Sequence, residues 1–166
     1  MSCGAQGTDG RIRATDAPYL AGPDGLRQSV LFPRWYILHR LDEAIELARR
    51  YHRPLSVTLV AMTPLGGEWS NAAKLAVAGA AAQATARSTD VLGWLDCSSF
   101  LIIMPETKPT DGAAALSRWR AEVWSRSRYM GGHEWRFVQV ESTGAFATAE
   151  RLIQGATQRL AQKEAV

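Results

Sequence analysis

Hydrophobic and polar residues alternate along the chain with two different periods, one typical of helices and one typical of strands. Apolar side chains between Trp35 and Tyr51 recur three or four residues apart, which predicts an amphipathic helix. Residues 55–62 are rich in β-branched side chains and predict a central strand. The later segments predict an alanine-rich helix over 72–86, two apolar strands within 90–105 and a helix over 113–125. An alternating strand over 135–140 and a last helix over 146–163 follow. This order predicts an α+β fold, in which helices pack against one central sheet.

The N-terminal segment differs from the rest of the chain. Residues 1–24 are mostly small or polar, contain Gly and Pro, and show no periodicity, so we expect a flexible tail or linker there. The remaining residues, 25–166, are enough for one domain with a substantial core.

Composition and charge exclude several classes of protein. Hydrophobic residues make up 46% of the chain and charged residues 21%, which is typical of globular domains. No apolar run approaches the ~20 residues that a membrane-spanning helix needs, and no apolar leader is visible, so we expect a cytoplasmic protein without a membrane span. The net charge of +3 is small and the basic residues are dispersed, which argues against nucleic-acid binding.

The residue types that usually bind metals or catalyse reactions are scattered. Cys3 and Cys97 form no metal-binding pattern, and we expect no bridge because Cys3 lies in the predicted tail. Cys97 is expected to be a small, buried or half-buried residue. The three histidines are expected at the surface, at His39, His52 and His133. We therefore expect no catalytic residue, no bound metal and no cofactor.

The segment from Asp90 to Pro105 predicts a β-hairpin with a polar tip. Two apolar runs flank four consecutive polar residues, Asp96, Cys97, Ser98 and Ser99. Hairpin tips are positions where a rigid sheet can present functional side chains.

This hairpin resembles that of GGDEF domains, the fold of diguanylate cyclases. The family motif is Asp-x-x-x-Arg-x-Gly-Gly-Asp-Glu-Phe followed by an apolar run and Pro, and it aligns without a gap from Asp90 through Phe100 to Pro105. Residues 29–37 also resemble the family's opening Thr-Gly-Leu-x-Asn-Arg-x-x-Phe segment, and residues 53–60 resemble its first strand. The resemblance implies a nucleotidyl cyclase-like central sheet flanked by helices.

The departures from the family pattern imply a degenerate domain without cyclase activity. Diguanylate cyclases hold two metal ions between carboxylates at the end of the first strand and on the hairpin, and the matching residues here are Ala61 and Ser98. Thr63 replaces a second family Asp, and Ser99 replaces the neighbouring Glu. The guanine-contacting Asn of the family falls on Trp69.

One family site remains in the sequence. Many cyclases bind their product, cyclic di-GMP, at an inhibitory Arg-x-x-Asp motif five residues before the hairpin tip, where this chain has Arg87 and Asp90. The family's additional arginine on the following helix aligns with Arg118. An arginine can bind phosphate or the O6/N7 edge of guanine, and a carboxylate can accept from guanine N–H groups. The resemblance thus implies a cyclic di-GMP receptor that acts through protein partners or self-association.

Two alternatives remain open at this stage, together with a structural interpretation of the motif. Arg87 could simply interact with the C-terminal end of its helix and with the carboxylate three residues later, and Arg13-x-x-Asp16 is a second copy in the predicted tail. The domain could accordingly be a ligand-independent scaffold or protein-interaction domain that keeps only the fold. It could also be an active cyclase with unusual residues.

Overall fold

The strand predicted over 55–62 lies inside a four-stranded antiparallel sheet. The computed structural model describes residues 31–66, 70–141 and 148–162, and in these residues the strand order is β2-β3-β1-β4. The elements are α1 Arg34–Tyr51, β1 Leu55–Pro64, α2 Asn71–Thr85, β2 Val91–Trp94, β3 Ser99–Pro105, α3 Pro109–Ser127, a 3-10 turn Arg128–Met130, β4 His133–Glu141 and α4 Ala149–Gln162. The predicted order of helices and strands and the α+β class are confirmed.

Each face of the sheet is covered by two helices, because successive side chains of a strand point to opposite faces. Helices α1 and α4 cover one face, where the apolar residues of one core cluster include Ile37, Leu41, Val57, Leu101, Leu152 and Ala156. Helices α2 and α3 cover the other face, with a second cluster that includes Val60, Leu75, Ala78, Phe100, Trp119 and Val123. The alanines of α2 are fully buried at positions 78, 81 and 82, so small side chains let this helix lie close to its neighbours.

Helix α3 begins earlier than its apolar pattern predicts. The sequence predicts a loop over residues 108–112, but Pro109 is in the first turn of the helix, where proline's missing N–H costs nothing. Residues 109–112 therefore belong to the helix, and Lys108 is its N-cap. The apolar pattern of this helix also predicts that Trp119 and Trp124 are core residues, and for Trp124 that prediction is wrong. Trp119 and Val123 point inward one turn apart, and Trp124, the next residue around the helix, is 48% exposed.

Two further expectations about single residues are also wrong. Cys97 is exposed rather than buried. The expectation that it forms no bridge is wrong as well, because Cys97 is disulfide-bonded, with its partner outside the described residues. His133 is half-buried, and its Nδ1 lies 2.7 Å from the carbonyl oxygen of Gly131, whereas His39 and His52 are exposed as expected.

Two predicted features fall on parts of the chain that the structure does not describe. The predicted tail, residues 1–24, lies wholly outside the described residues. Residues 146 and 147, where the last helix is predicted to begin, also lie outside them. Within the described part of the chain, the helices lack the length and apolar character that a bilayer crossing requires.

Candidate functional site

The end of β1 and the tip of the hairpin are adjacent in the folded chain. Ala61 lies directly opposite Ser99 on β3, and the N–H of Met62 donates to the carbonyl oxygen of Ser98 at 2.8 Å. The positions that the sequence resemblance equates with the cyclase metal ligands, Ala61 and Ser98, are therefore neighbours across two strands.

The hairpin tip is closed by its own polar residues. Oδ1 of Asp96 accepts hydrogen bonds from the backbone N–H of Ser98 at 2.7 Å and from its Oγ at 2.9 Å. This arrangement is an Asx turn, in which an aspartate side chain satisfies the backbone two residues later. Asp96 thus has a local structural role at the tip.

A cleft of about 240 Å³ opens beside this tip, between β1, the hairpin, β4 and the N-terminus of α1. Two arginines line it. Nη1 of Arg34 donates to the carbonyl oxygen of Leu95 at 2.7 Å, and Nη2 of Arg136 donates to Oγ1 of Thr63. The cleft also contacts α4 through the apolar or weakly polar side chains of Ile153, Thr157 and Leu160.

These residues do not fit the divalent metal ions that the fold family uses. A hard cation needs several oxygen ligands, usually with at least one or two carboxylates. Ala61 has none to offer, Ser98 has only a hydroxyl, and two guanidinium groups line the same cleft. Among the described residues there is no group of three or more His, Cys, Asp or Glu that could hold a metal ion. Trp69, the counterpart of the family's guanine-binding Asn, lies outside the described residues.

The second candidate site lies in the turn between α2 and β2, at the base of the hairpin and therefore at the opposite end of β2 from the tip. The backbone N–H of Arg87 donates to Oδ2 of Asp90 at 2.8 Å, and the N–H of Asp90 donates to the carbonyl oxygen of Arg87 at 3.1 Å. This reciprocal pair of hydrogen bonds holds the segment after α2 in a turn that leads directly into β2. The side chain of Arg87 is exposed.

Asp90 is half-buried, and its two carboxylate oxygens have different surroundings. Oδ2 is bonded to Arg87, whereas Oδ1 is buried and has no hydrogen-bond partner among the described residues. Burial raises the pKa of Asp90, while the hydrogen bond from Arg87 and the positive charges of Arg87 and Arg118 lower it by less. A buried carboxylate oxygen without a donor is energetically costly and can be satisfied by donors from a ligand.

Arg118 approaches Asp90 from α3. Its charge is close enough to lower the pKa of Asp90, and its side chain is exposed. None of the ion pairs found among the described residues ties Arg87 or Arg118 to another side chain. The fold therefore brings together the two motif residues and the arginine that the sequence comparison placed on the following helix.

Sequence reasoning missed the two arginines of the cleft as a pair. Arg136 lies on an alternating strand and belongs to no recognisable motif. Arg34, 102 positions earlier, occupies the Arg position of the family's opening segment, but nothing in that segment links it to Arg136. The one available signal was the alternation of β4, in which Arg136 falls on the same face as the buried Val138 and Val140.

Comparison with known proteins gives matches at the level of structure. No protein-family model matches the chain, and no curated protein sequence matches it. Among solved structures, the chain is similar to the diguanylate cyclase SiaD from Pseudomonas aeruginosa, solved in complex with its activator SiaC, with a TM-score of 0.71 and 20% identity. That match covers 85% of this chain and 57% of the SiaD chain, which is less than two thirds of it.

Two isolated domains match over most of their length. The GGDEF domain of DgcB from Caulobacter crescentus, solved in complex with c-di-GMP, gives a TM-score of 0.67 at 16% identity and covers 85% of this chain and 88% of that one. The FimX GGDEF domain from Pseudomonas aeruginosa gives 0.66 at 16% identity and covers 84% and 91%. At such identities the likeness concerns the fold, and the chain has the fold of GGDEF domains.

Proposed function

We propose that this protein is a catalytically inactive GGDEF-type domain that binds cyclic di-GMP through Arg87, Asp90 and Arg118 and acts as its receptor. The observation that carries the proposal is the buried Oδ1 of Asp90, which has no hydrogen-bond partner among the described residues and belongs to a carboxylate whose charge interacts with the exposed Arg87 and Arg118. A structural turn needs only Oδ2, which already accepts the N–H of Arg87.

The chemistry of the three side chains matches that of a guanine nucleotide. Oδ1 can accept from the N1–H or the exocyclic amine of guanine, which would give this oxygen the hydrogen bond that it lacks. The guanidinium groups can donate to phosphate oxygens or to guanine O6 and N7, and can stack on the base. The exposed arginines are free to change rotamer on binding, since no described ion pair restrains them.

The lack of cyclase activity is proposed from the donor groups at the hairpin tip. Metal-assisted phosphoryl transfer requires ions that bridge and neutralise the phosphates. Ala61 and Ser98 replace the side chains that would hold such ions, and Arg34 and Arg136 line the same cleft. The SiaD and DgcB structures support a role in cyclic di-GMP signalling, because SiaD is a diguanylate cyclase solved with its activator SiaC and the DgcB domain was solved with c-di-GMP.

Calorimetric titration of the full chain with cyclic di-GMP tests the proposal. We expect saturable binding by the parent protein and a loss of roughly ten- to more than a hundredfold for Asp90→Ala, the cost of a hydrogen bond to a charged group. Glu106→Ala is a matched control, because Glu106 is an exposed carboxylate on a different loop, paired with Arg53.

A parent protein that shows no binding heat and no thermal stabilisation by the nucleotide would exclude the receptor role. The chain would then be better described as a ligand-independent scaffold or interaction domain with the GGDEF fold. Equal affinities of the parent protein and the Asp90→Ala variant would place the nucleotide at a different site.

A further inference from the structure

Helix α1 carries a second apolar stripe beside the one that it buries in the core. Ala44, Leu47, Ala48 and Tyr51 are spaced i, i+3, i+4 and i+7, so they share one side of the helix. The two alanines are half-buried, whereas Leu47 is 55% exposed and Tyr51 is 53% exposed. Large apolar side chains that lie together on an exposed surface are typical of a contact site.

This stripe forms one wall of a cavity of about 480 Å³. The opposite wall includes Pro54 and Leu55, at the start of β1, and Pro105, at the end of β3. An ion pair between Arg53 and Glu106, both of which line the cavity, connects the same two segments. The cavity therefore lies at the end of the sheet opposite the hairpin tip, and it is lined by apolar side chains next to charged ones.

The ring of Tyr51 is restrained by two neighbouring cations. Cζ of Arg50 lies 5.5 Å from the centre of the ring, and Cζ of Arg53 lies 5.7 Å from it. Both distances are within the range of cation–π contacts. A side chain that is already restrained loses less freedom when it is buried in an interface, so Tyr51 is well suited to bind a partner.

The stripe is complementary in size to itself when two copies of α1 run antiparallel. In the register that places Ala44 opposite Tyr51 of a second copy, Leu47 lies opposite Ala48 of that copy, because both pairs are centred on the same point of the helix. Each large side chain then faces a small one, and the cavity beside the alanines has room for it. Such a contact is isologous, since both copies use the same surface.

The charges along α1 are complementary in the same arrangement. Glu43 and Arg50 are seven residues apart, so they lie on the same flank of the stripe, one on each side of its centre. Antiparallel packing brings Glu43 of each copy near Arg50 of the other, whereas parallel packing would place like charges together. Glu43 now contacts Arg40 at 2.8 Å and His39 at 3.3 Å, in exposed pairs that contribute little and can be exchanged. Arg50 belongs to none of the ion pairs found in the described part of the chain.

We infer that this surface binds a second copy of the chain, through antiparallel packing of two α1 helices about a two-fold axis. One helix and its flanking loops form a smaller contact than the standard interface of ~1,600 Å², so the association should be weak and require a high protein concentration. Helix α1 lies on the opposite face of the sheet from α2 and α3. The contact is therefore separate from the Arg87–Asp90 turn and does not depend on the proposed cyclic di-GMP binding.

Sedimentation velocity of the nucleotide-free full chain, at increasing protein concentration, tests the inference. We expect a reversible equilibrium between monomer and dimer in the parent protein. Leu47→Ser should associate at least about tenfold more weakly, because the dimer loses two buried leucines. Leu65→Ser is the matched control: Leu65 is a leucine with 66% exposure that does not line the cavity, so this variant should associate like the parent.

Two charge reversals test the antiparallel arrangement. Glu43→Arg and Arg50→Glu should each weaken association roughly tenfold, because both symmetry-related pairs of the dimer then carry like charges. An equimolar mixture of these two variants should associate like the parent, since every arginine in the mixed dimer meets a glutamate. A contact through any other surface would not recover in the mixture.

The inference is wrong if the parent stays monomeric at every concentration, if non-reducing electrophoresis shows that its dimer is disulfide-linked, or if Leu47→Ser associates like the parent. Failure of the mixture to recover would exclude antiparallel packing of α1. Glu43 and Arg50 are exposed, so their variants decide the matter if Leu47→Ser fails to fold. Arg87→Ala should associate like the parent without nucleotide, and a large loss in that variant would place the contact on the other face of the sheet.

Discussion

The backbone N–H of Arg87 donates to Oδ2 of Asp90 at 2.8 Å, while Oδ1 of the same carboxylate is buried and has no hydrogen-bond partner in the part of the chain that the structure describes. One oxygen thus fixes the turn between α2 and β2, and the carboxylate lies close enough to Arg87 and Arg118 for their positive charges to lower its pKa. Orientation by the turn reduces the entropy that the carboxylate would lose on binding a ligand. The different roles of the two oxygens underlie the predictions for variants of Arg87 and Asp90.

The two copies of the Arg-x-x-Asp tetrapeptide should behave differently. Arg87→Ala should weaken cyclic di-GMP binding by roughly ten- to more than a hundredfold, the loss expected for a charged hydrogen-bond donor. Arg118→Ala should cause a similar or smaller loss. Arg13→Ala changes the same motif in the segment without apolar periodicity and should leave the affinity unchanged. Calorimetry on the purified variants measures all three.

All of these variants should keep the melting temperature of the parent, because the side chains of Arg87 and Arg118 are exposed. An Arg87→Ala variant that is fully folded and binds as tightly as the parent would refute the proposed site. The scaffold interpretation would then be preferred.

The ionisation of Asp90 should reduce stability at neutral pH. Burial raises its pKa in the folded protein above the ordinary value of 3.8, so the folded state binds more protons than the unfolded state between these two values. The free energy of unfolding therefore falls as pH rises through this window, and the cost persists above it. Asp90→Asn should accordingly be more stable than the parent at neutral pH, and its advantage should disappear below pH 3.8.

Urea unfolding of both proteins across this pH range measures the difference. A variant that is less stable than the parent at neutral pH would show that the turn needs the charge on Asp90. Cyclic di-GMP should bind more weakly as pH falls through the pKa of Asp90, because protonation removes charge from the acceptor that faces guanine N–H groups.

Binding of cyclic di-GMP should shift the protein towards a dimer. The nucleotide has two guanines and two phosphates, and a stacked pair of nucleotides could contact arginine-bearing surfaces on two molecules at once. Such bridging raises the effective affinity through multivalency. Sedimentation velocity at saturating nucleotide should show a larger species that is absent in Arg87→Ala. A single unchanged species would remove the assembly model while leaving binding intact.

The protein should make no cyclic di-GMP from GTP and Mg²⁺. The end of β1 and the hairpin tip carry Ala61 and Ser98, which lack the carboxylates that hold the metal ions. The double variant Ala61→Asp/Ser98→Asp should also be inactive, because Ser99 and Trp69 still lack the family's catalytic and guanine contacts. Chromatographic assay of the product, with an added standard as positive control, tests both proteins. Turnover above a buffer blank in the parent would contradict the argument from the metal ligands.

The helices and strands could be predicted from the sequence because the spacing of hydrophobic residues depends only on neighbours along the chain. The spacing of Ile37, Leu41 and Ile45 predicts α1, and the structure buries all three. The register of Arg87 and Asp90 against the hairpin likewise concerns neighbours in sequence. The proximity of these two residues therefore depends only on the short turn between α2 and β2.

Tertiary structure alone decided which distant residues share a site. Arg136 lies 75 positions after Ala61, and only the pairing of β1 with β4 places the two side by side. The exposure of Trp124 likewise depends on how α3 is rotated against α2 and the sheet, which its own apolar content does not specify. The physical reason is that periodicity identifies the buried face of each element, whereas strand register and helix rotation result from packing all of the elements together.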